Sequence, residues 1–271
     1  MNGASREALA AARERLDALT DATSTDVARL AEELAAVTAL FDREVGLRRV
    51  LTDPAQPADR KAELAGRLLG GQVGGPAVDL VSGMVRSRWS QTRDLVDAIE
   101  ELANTAELVD AQRARALDDV EDELFRFARI ISSNTELRAA LTDRTATTDA
   151  KVQLLHRLLG GRAKAQTERL VVRLVTAPRG RSLEAGLESL SKLAAERRNR
   201  LVAVVTSAVP LSDTQKQRLG AALAKLYGHQ MHLNLDVDPE VVGGIRVQVG
   251  DEVINGSLAD RLEDARRRLA G

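Results

Sequence analysis

Any chemistry in this chain has to come from a short roster of side chains. Three histidines are present, His156, His229 and His232, and there is no cysteine. The missing thiol removes disulfides, thiolate nucleophiles and Cys-ligated metals. His229 and His232 fall close together, but no third ligand of suitable type is adjacent in sequence, so they read as surface or boundary histidines. Asp236, Asp238, Glu240 and Asp251 gather near expected turns. The EF-hand order with its closing Glu is absent, and turn formation accounts for Asp238-Pro239 and Gly250-Asp251. Four Gly-Gly pairs occur, at 70–71, 74–75, 160–161 and 243–244. None carries the Gly-Lys-Ser/Thr of a phosphate loop or the strand-to-helix GxGxxG of a dinucleotide site. No Ser–His–Asp or paired-carboxylate set stands out from spacing. The residues therefore predict no catalytic group, no cofactor and no metal.

Composition points instead to packed helices. Hydrophobic residues make up 44% of the 271, but aromatics only 2%, with Trp89 and Tyr227 the sole examples of their kinds. A core of Ala, Leu and Val suits close helix packing better than a β-sandwich. Charge is abundant and balanced, 39 basic residues against 40 acidic. Arg alternates with Asp and Glu, as in Arg13-Glu14-Arg15 and Glu196-Arg197-Arg198. That is the texture of solvated helix faces paired at i,i+4, not the basic stripe of a nucleic-acid binder. No apolar run approaches the roughly 20 residues needed to span a bilayer. Met1–Glu7 lacks the apolar segment of a signal peptide. The expectation is a soluble protein of a reducing compartment that meets a membrane only through a partner.

The chain contains a duplication. Leu47-Arg48-Arg49-Val50-Leu51-Thr52-Asp53 recurs as Leu137-Arg138-Ala139-Ala140-Leu141-Thr142-Asp143, and Arg67-Leu68-Leu69-Gly70-Gly71 as Arg157-Leu158-Leu159-Gly160-Gly161. Asp59, Lys61 and Leu64 match Asp149, Lys151 and Leu154 at the same offset, giving 13 identities in 25 positions without a gap. Isolated Leu matches could arise by chance, but two copies each of LTD and RLLGG do not. Each copy reads as helices. Leu9, Ala12, Leu16 and Leu19 mark the first amphipathic stripe; Val27, Leu30, Leu34, Val37 and Phe41 mark the second. Gly70-Gly71 and Gly160-Gly161 read as helix stops. Pro76 opens a helix with Leu80, Val81, Met84 and Val85 inward, and the second copy repeats it with Leu170, Val171, Leu174 and Val175. Between the copies there is no Gly from 84 to 159 and no Pro from 77 to 177. The spacing over about 92–131 predicts one helix of about 60 Å, or two joined almost without a loop, with the only interruption at Gln112-Arg113.

After Asn199 the texture changes. Leu201–Ser207 reads as a strand, and Ser212-Asp213 caps a helix closing at Gly228. Leu233, Leu235 and Val237 alternate as a half-buried strand. Asp238-Pro239 is a turn, Ile245, Val247 and Val249 a strand, and Val253-Ile254 its hairpin return across Gly250-Asp251. Ser257 caps a last helix with Asp260 at the box position. The fold class is mainly α with a small C-terminal α/β domain: two related helical bundles joined by a long helix, then a short sheet with helices. The expected divisions are 1–106 and 107–198 for the two copies, sharing the helix around 92–131, and 199–271 for the α/β domain.

Across Leu233–Gly250 and on through Asp251-Glu-Val-Ile-Asn-Gly-Ser257, the chain resembles the δ subunit family of the F-type ATP synthase, which includes the oligomycin-sensitivity-conferring protein. The residues that carry the resemblance are Leu233, Leu235, Val237, Val241, Gly243, Gly244, Ile245, Val247, Gly250 and Gly256. It extends upstream through Val209-Pro210-Leu211-Ser212 and, by plan more than identity, over 107–198. The resemblance implies a non-catalytic peripheral-stalk subunit, one copy per complex, at the cytoplasmic face of a bacterial membrane. A helical bundle would grip the N-terminal helix of the α subunit between its first and fifth helices, and the C-terminal domain would hold the end of the b subunit stalk. The chain departs from the family by roughly 90 extra residues, which the duplication supplies. The groove is expected on the first copy, which keeps a separate first helix, at Leu9, Ala12, Leu16, Leu19, Val78, Val81 and Val85; the fallback is the second copy at Leu170 and Leu174. An intramolecular core would use the same residues, and both roles stay open. The other reading of the chain is a helical adaptor unrelated to ATP synthase.

Overall fold

The computed structural model describes residues 2–21, 24–199, 202–227, 231–238, 241, 244–249 and 252–255. They fall into two compact units, Met1–Ala194 and Ala195–Gly271. In the first, helices follow one another as α1 (Gly3–Asp21), α2 (Val27–Arg43), α3 (Val45–Thr52), α4 (Ala58–Leu69), α5 (Gly75–Arg86) and α6 (Thr92–Arg113). Then come α7 (Leu117–Ser133), α8 (Thr135–Thr142), α9 (Thr148–Leu159), α10 (Ala165–Thr176) and α11 (Leu183–Asn199). The duplication reaches the level of single residues. Shifting the ends of α2, α3, α4 and α5 by 90 gives the ends of α7, α8, α9 and α10 without deviation. The same shift lays α1 on α6 and α6 on α11, so α6 closes the first copy and opens the second. The expected border between residues 106 and 107 lies inside it.

A helix with two such duties needs apolar residues on more than one face, and α6 has them: Leu95, Val96, Ala98, Ile99, Leu102, Ala103, Ala106, Leu108, Val109 and Ala111 are all buried. Its first turn is tied down by Ser5, whose hydroxyl donates to Asp94 Oδ2 at 2.7 Å and accepts from the Ser90 N–H at 2.8 Å. Asp94 is thereby buried at the positive end of the helix, where a carboxylate is favoured.

The continuous helix over 92–131 is not formed; the two-helix alternative holds. The Ala116 N–H bonds to the Ala111 carbonyl at 2.8 Å and the Arg115 N–H to that of Gln112 at 3.0 Å. Those two bonds make a Schellman stop. Its left-handed position is Arg115 at φ +57°, where glycine would be usual. Arg113 holds the corner by donating to the carbonyls of Thr20 and Thr25, beside the start of α2.

The glycine stops behave as expected in both copies. Gly71 and Gly161 adopt φ +75° and +70°. The glycine before each is needed for a different reason: a Cβ on Gly70 would lie 2.8 Å from the Gly66 carbonyl oxygen, and one on Gly160 2.5 Å from that of His156. The LTD-containing segments, which show no long periodicity, form the eight-residue helices α3 and α8.

In the second unit, β1 (Val202–Ser207), β2 (His232–Val237), β3 (Ile245–Val249) and β4 (Glu252–Asn255) form one sheet in the order β2-β1-β3-β4, with α12 (Asp213–Tyr227) between β1 and β2. The β1–β2 pair is parallel, which requires a crossover, and α12 supplies it. The other two pairs are antiparallel, with Val249 opposite Glu252. Ala203, Val205, Val247 and Val249 bury one sheet face together with Leu223 of α12. Ser212 and Gln215 cap α12 reciprocally, the Ser212 N–H donating to Gln215 Oε1 at 2.9 Å. The helix stop at Gly228, the Pro239 turn, the Gly250-Asp251 turn and the final helix from Ser257 lie outside the described residues.

Two measurements follow from these positions. Gly71→Ala and Gly161→Ala each place a Cβ at positive φ with no atom within 4 Å to clash, so the loss is purely backbone strain. Each variant is expected to lose about 1 kcal/mol and about 2–4 °C of Tm, equally in the two copies, by thermal melting. Tyr227 donates to Glu252 Oε2 at 2.9 Å. Burial, then that hydrogen bond and the nearby negative charge, push its phenol up to about 12 from 10.0. The stability this bond brings is present below the ordinary phenol pKa and is lost as pH rises through about 12. As the chain's single tyrosine, its absorbance titration should show one late step that Glu252→Gln moves downward.

Candidate functional site

Among the described residues the structure assembles no reactive constellation, and the candidate site is a set of helix seams and the charges that close them. His156 is exposed and its Nδ1 lies 2.7 Å from Glu168 Oε1. His229 and the side chain of His232 lie outside the described residues.

Of the residues expected to form a groove, Leu9, Ala12, Leu16, Val81 and Val85 are buried in the helical unit's own core, and Leu19 and Val78 are half-buried against it. They hold α1 and α5 together. The groups that reach the surface at this seam are polar or small. Arg15 extends across Gly83, its Cδ 3.6 Å from where a Cβ would stand. Its guanidinium comes to 4.0 Å from Asp79, in a pair that is half or more exposed on both sides.

The α6–α10 seam is the same construction in the second copy, and its chemistry is reversed. Arg169 and Arg173 stand where the first copy has Asp79 and Gly83. Both reach Glu107, at 2.6 and 2.8 Å, and Glu107 has no exposed surface. Arg169 also meets Asp110 at 3.2 Å. Burial lowers the Arg169 pKa, but the hydrogen bond and charge of Glu107 outweigh it and leave it raised. The guanidinium therefore stays charged throughout the working pH range, and its stabilisation is lost only as pH rises through that raised value. Over this seam stands α2 of the first copy. Ala35, Thr38 and Ala39 face Arg173 and Leu174 across a cavity of about 200 Å³.

A second ion cluster ties the loop after α10 to the first copy. The Arg179 side chain, only 3% exposed, donates to Asp97 at 2.6 Å and Glu100 at 2.8 Å on α6, and to Asp42 at 3.2 Å on α2. Its backbone is held at φ +52°, its carbonyl accepts from Arg93, and Arg181 pairs with Glu100. These residues were not singled out by sequence reasoning. The available signal was the exchange of Asp79, Gly83 and Trp89 for Arg169, Arg173 and Arg179 between otherwise matching copies.

In the C-terminal unit, Leu233, Ile245 and Val247 pack on the sheet core. Leu235 and Val237 sit on the edge strand β2 and are exposed, as are Val209 and Leu226. Val241 is half-buried. Gly244 takes φ +91°, in the left-handed region that favours glycine. Gly243, Gly250 and Gly256 lie outside the described residues.

The seam charges can be tested by substitution. Glu107→Gln leaves Arg173 against a buried neutral amide and Arg169 with Asp110 alone, and is expected to cost about 3 kcal/mol in urea unfolding. The triple change Glu107→Leu, Arg169→Leu, Arg173→Met should recover most of that loss, because it removes the buried charge along with its partners.

Known proteins add the following. The family described as ATP synthase delta (OSCP) subunit matches residues 105–269, which is the second copy and the C-terminal unit. The "ATP synthase subunit delta" of Streptomyces avermitilis is 81% identical over 99% of this chain and 98% of its own length. The proteins of that name from Acidothermus cellulolyticus and Thermobifida fusca are 50% and 48% identical over the whole of both chains. A chain in the cryo-EM structure of the Toxoplasma gondii mitochondrial ATP synthase hexamer is 22% identical, over 62% of this chain and 95% of that one, with a TM-score of 0.34. Full-length identity at this level, with a family match over more than half of the residues, places the chain in the ATP synthase delta (OSCP) subunit family.

Proposed function

We propose that the chain is the peripheral-stalk subunit that holds the catalytic head of an F-type ATP synthase against the torque of its rotor, and that it has no catalysis of its own. The observation that carries the reading is the full-length match to subunits of that name. Among the described residues no helix is long and apolar enough to cross a membrane, so attachment would run through other subunits at the cytoplasmic face. The C-terminal unit would take the end of the b stalk. In support, edge strand β2 leaves Leu235 and Val237 exposed, with Val209 and Leu226 on the same unit.

The N-terminal helix of the α subunit would seat on the first copy, along the α1–α5 seam. What favours the first copy is the position of α2. It stands over the equivalent α6–α10 seam of the second copy, where an added helix would have to lie. Among the described residues the α1–α5 seam has no such cover at Arg15 and Asp79, whose side chains stay half or more exposed. Small residues there, Ser82 and Gly83, allow a helix to approach closely. The apolar groove residues act by fixing the seam's geometry and would not touch the partner directly.

Stripping the protein from membranes should abolish proton-driven ATP synthesis while the released head continues to hydrolyse ATP; retained synthesis would refute the stator reading. For the seam, Ser82→Glu with Gly83→Gln should leave the melting curve in place and weaken binding of an α N-terminal peptide at least tenfold. Unchanged affinity would move the contact to the α6–α10 seam around Leu170 and Leu174.

A further inference from the structure

The two copies share no residue in the loop after their fifth helices, 87–91 against 177–181. In the first copy that loop carries Trp89, which is buried in one cluster with Leu51, Met84 and Val85 and donates its indole N–H to the Met84 carbonyl at 2.8 Å. In the second copy the matching position is Arg179, and its guanidinium is drawn away to Asp42, Asp97 and Glu100. The counterparts of Leu51, Met84 and Val85, core residues of the first copy, are Leu141, Leu174 and Val175. They form the floor of an open cleft of about 670 Å³ between α8, α10 and the start of α11. Nearby positions follow the same trend: Thr52 and Lys61 are buried in the first copy, whereas Thr142 is exposed and Lys151 half-buried in the second. The volume is that of a ligand-sized site, and beside it the second copy has, in place of a buried tryptophan, an arginine drawn to carboxylates of α2 and α6.

Charge at the rim selects the occupant. Arg138 is paired with Glu184 at 3.1 Å and Arg181 with Glu100. Arg144 and Lys151 remain to present positive charge to the cleft, Lys151 beside Asp143, whose pKa is lowered chiefly by hydrogen bonds from Thr145 and in small part by that lysine. The geometry points to a partner-protein segment that inserts an aromatic side chain where Trp89 sits in the first copy and carries acidic residues against Arg144 and Lys151. This is a contact separate from the α1–α5 seam and the C-terminal unit, and it rests on the stator reading for its setting. An apolar floor with a cationic rim suits such a segment, because ring burial supplies affinity and the charges fix its direction.

Because the chain has no cysteine, Thr142→Cys provides a single thiol at the cleft. Maleimide labelling of this variant should run at least tenfold slower in the assembled ATP synthase than in the isolated chain. Adding Arg144→Glu and Lys151→Glu should restore the fast rate in the complex, with the melting curve of the isolated chain unchanged. Equal rates in the free and assembled states overturn the inference. Protection that survives the two charge reversals also overturns it, since the cover would then not depend on acidic groups. If the unaltered chain fails to copurify with the catalytic head, the stator reading fails instead, so the two failures are distinguishable.

Discussion

The helical unit depends on one constraint: α6 has to be the last helix of one bundle and the first of the next. A helix at the edge of a bundle can leave a polar face in water. A helix used twice cannot, and α6 buries Leu95, Ile99 and Leu102 as well as Ala103, Ala106 and Leu108. Its small residues let neighbours approach closely, and Glu107 is left with no exposed surface. A bare carboxylate there would be untenable. Arg169 and Arg173 make it acceptable, and α10 is thereby fixed to α6 in one register. Such a cluster need not add net stability over apolar packing. What it supplies is a single arrangement of two bundles that could otherwise slide along a seam of alanines and leucines.

Arg179 applies the same logic at the other end of α6. One guanidinium bonds carboxylates on α2 and α6, so the loop that starts the last helix of the second copy is bound to a helix of the first. Because the arginine's side chain is almost fully buried, salt screens these bonds less than it would a surface pair. The left-handed backbone at Arg179 costs about 1 kcal/mol, and three charge-assisted hydrogen bonds readily offset it. For a stator this matters more than raw stability. A link that passes torque must not flex between its parts, and multidentate ionic contacts resist sliding in a way that non-directional apolar burial does not.

Much of the architecture was legible in the chain. The 90-residue repeat, the Gly-Gly stops and the strands after Asn199 all rest on local signals, and local signals survive folding. The break at 114–116 was harder to read because it uses Arg115 where a glycine would have announced the turn. The groove residues show a different limit. Leu9, Ala12, Leu16, Val81 and Val85 have the spacing of an apolar stripe, and spacing cannot say whether a stripe faces its own bundle or a partner. The folded chain gives that stripe to its own core. The ion clasps were illegible for a third reason. Glu107 and Arg173 are separated by 66 residues, and nothing in either neighbourhood marks them as a pair.

Duplication explains why the clasps sit where they do. Two identical bundles sharing a helix would present identical seams, and each seam could accept the same partner. Here the copies differ at the seam positions themselves. Asp79 and Gly83 leave the first seam small and open, whereas Arg169 and Arg173 turn the second inward against Glu107, beneath α2. Trp89 seals one bundle, and Arg179 gives up that seal to bind the neighbouring copy. A side chain drawn to Asp97 and Glu100 is not available to cover Leu141, which lines the α8–α10 cleft.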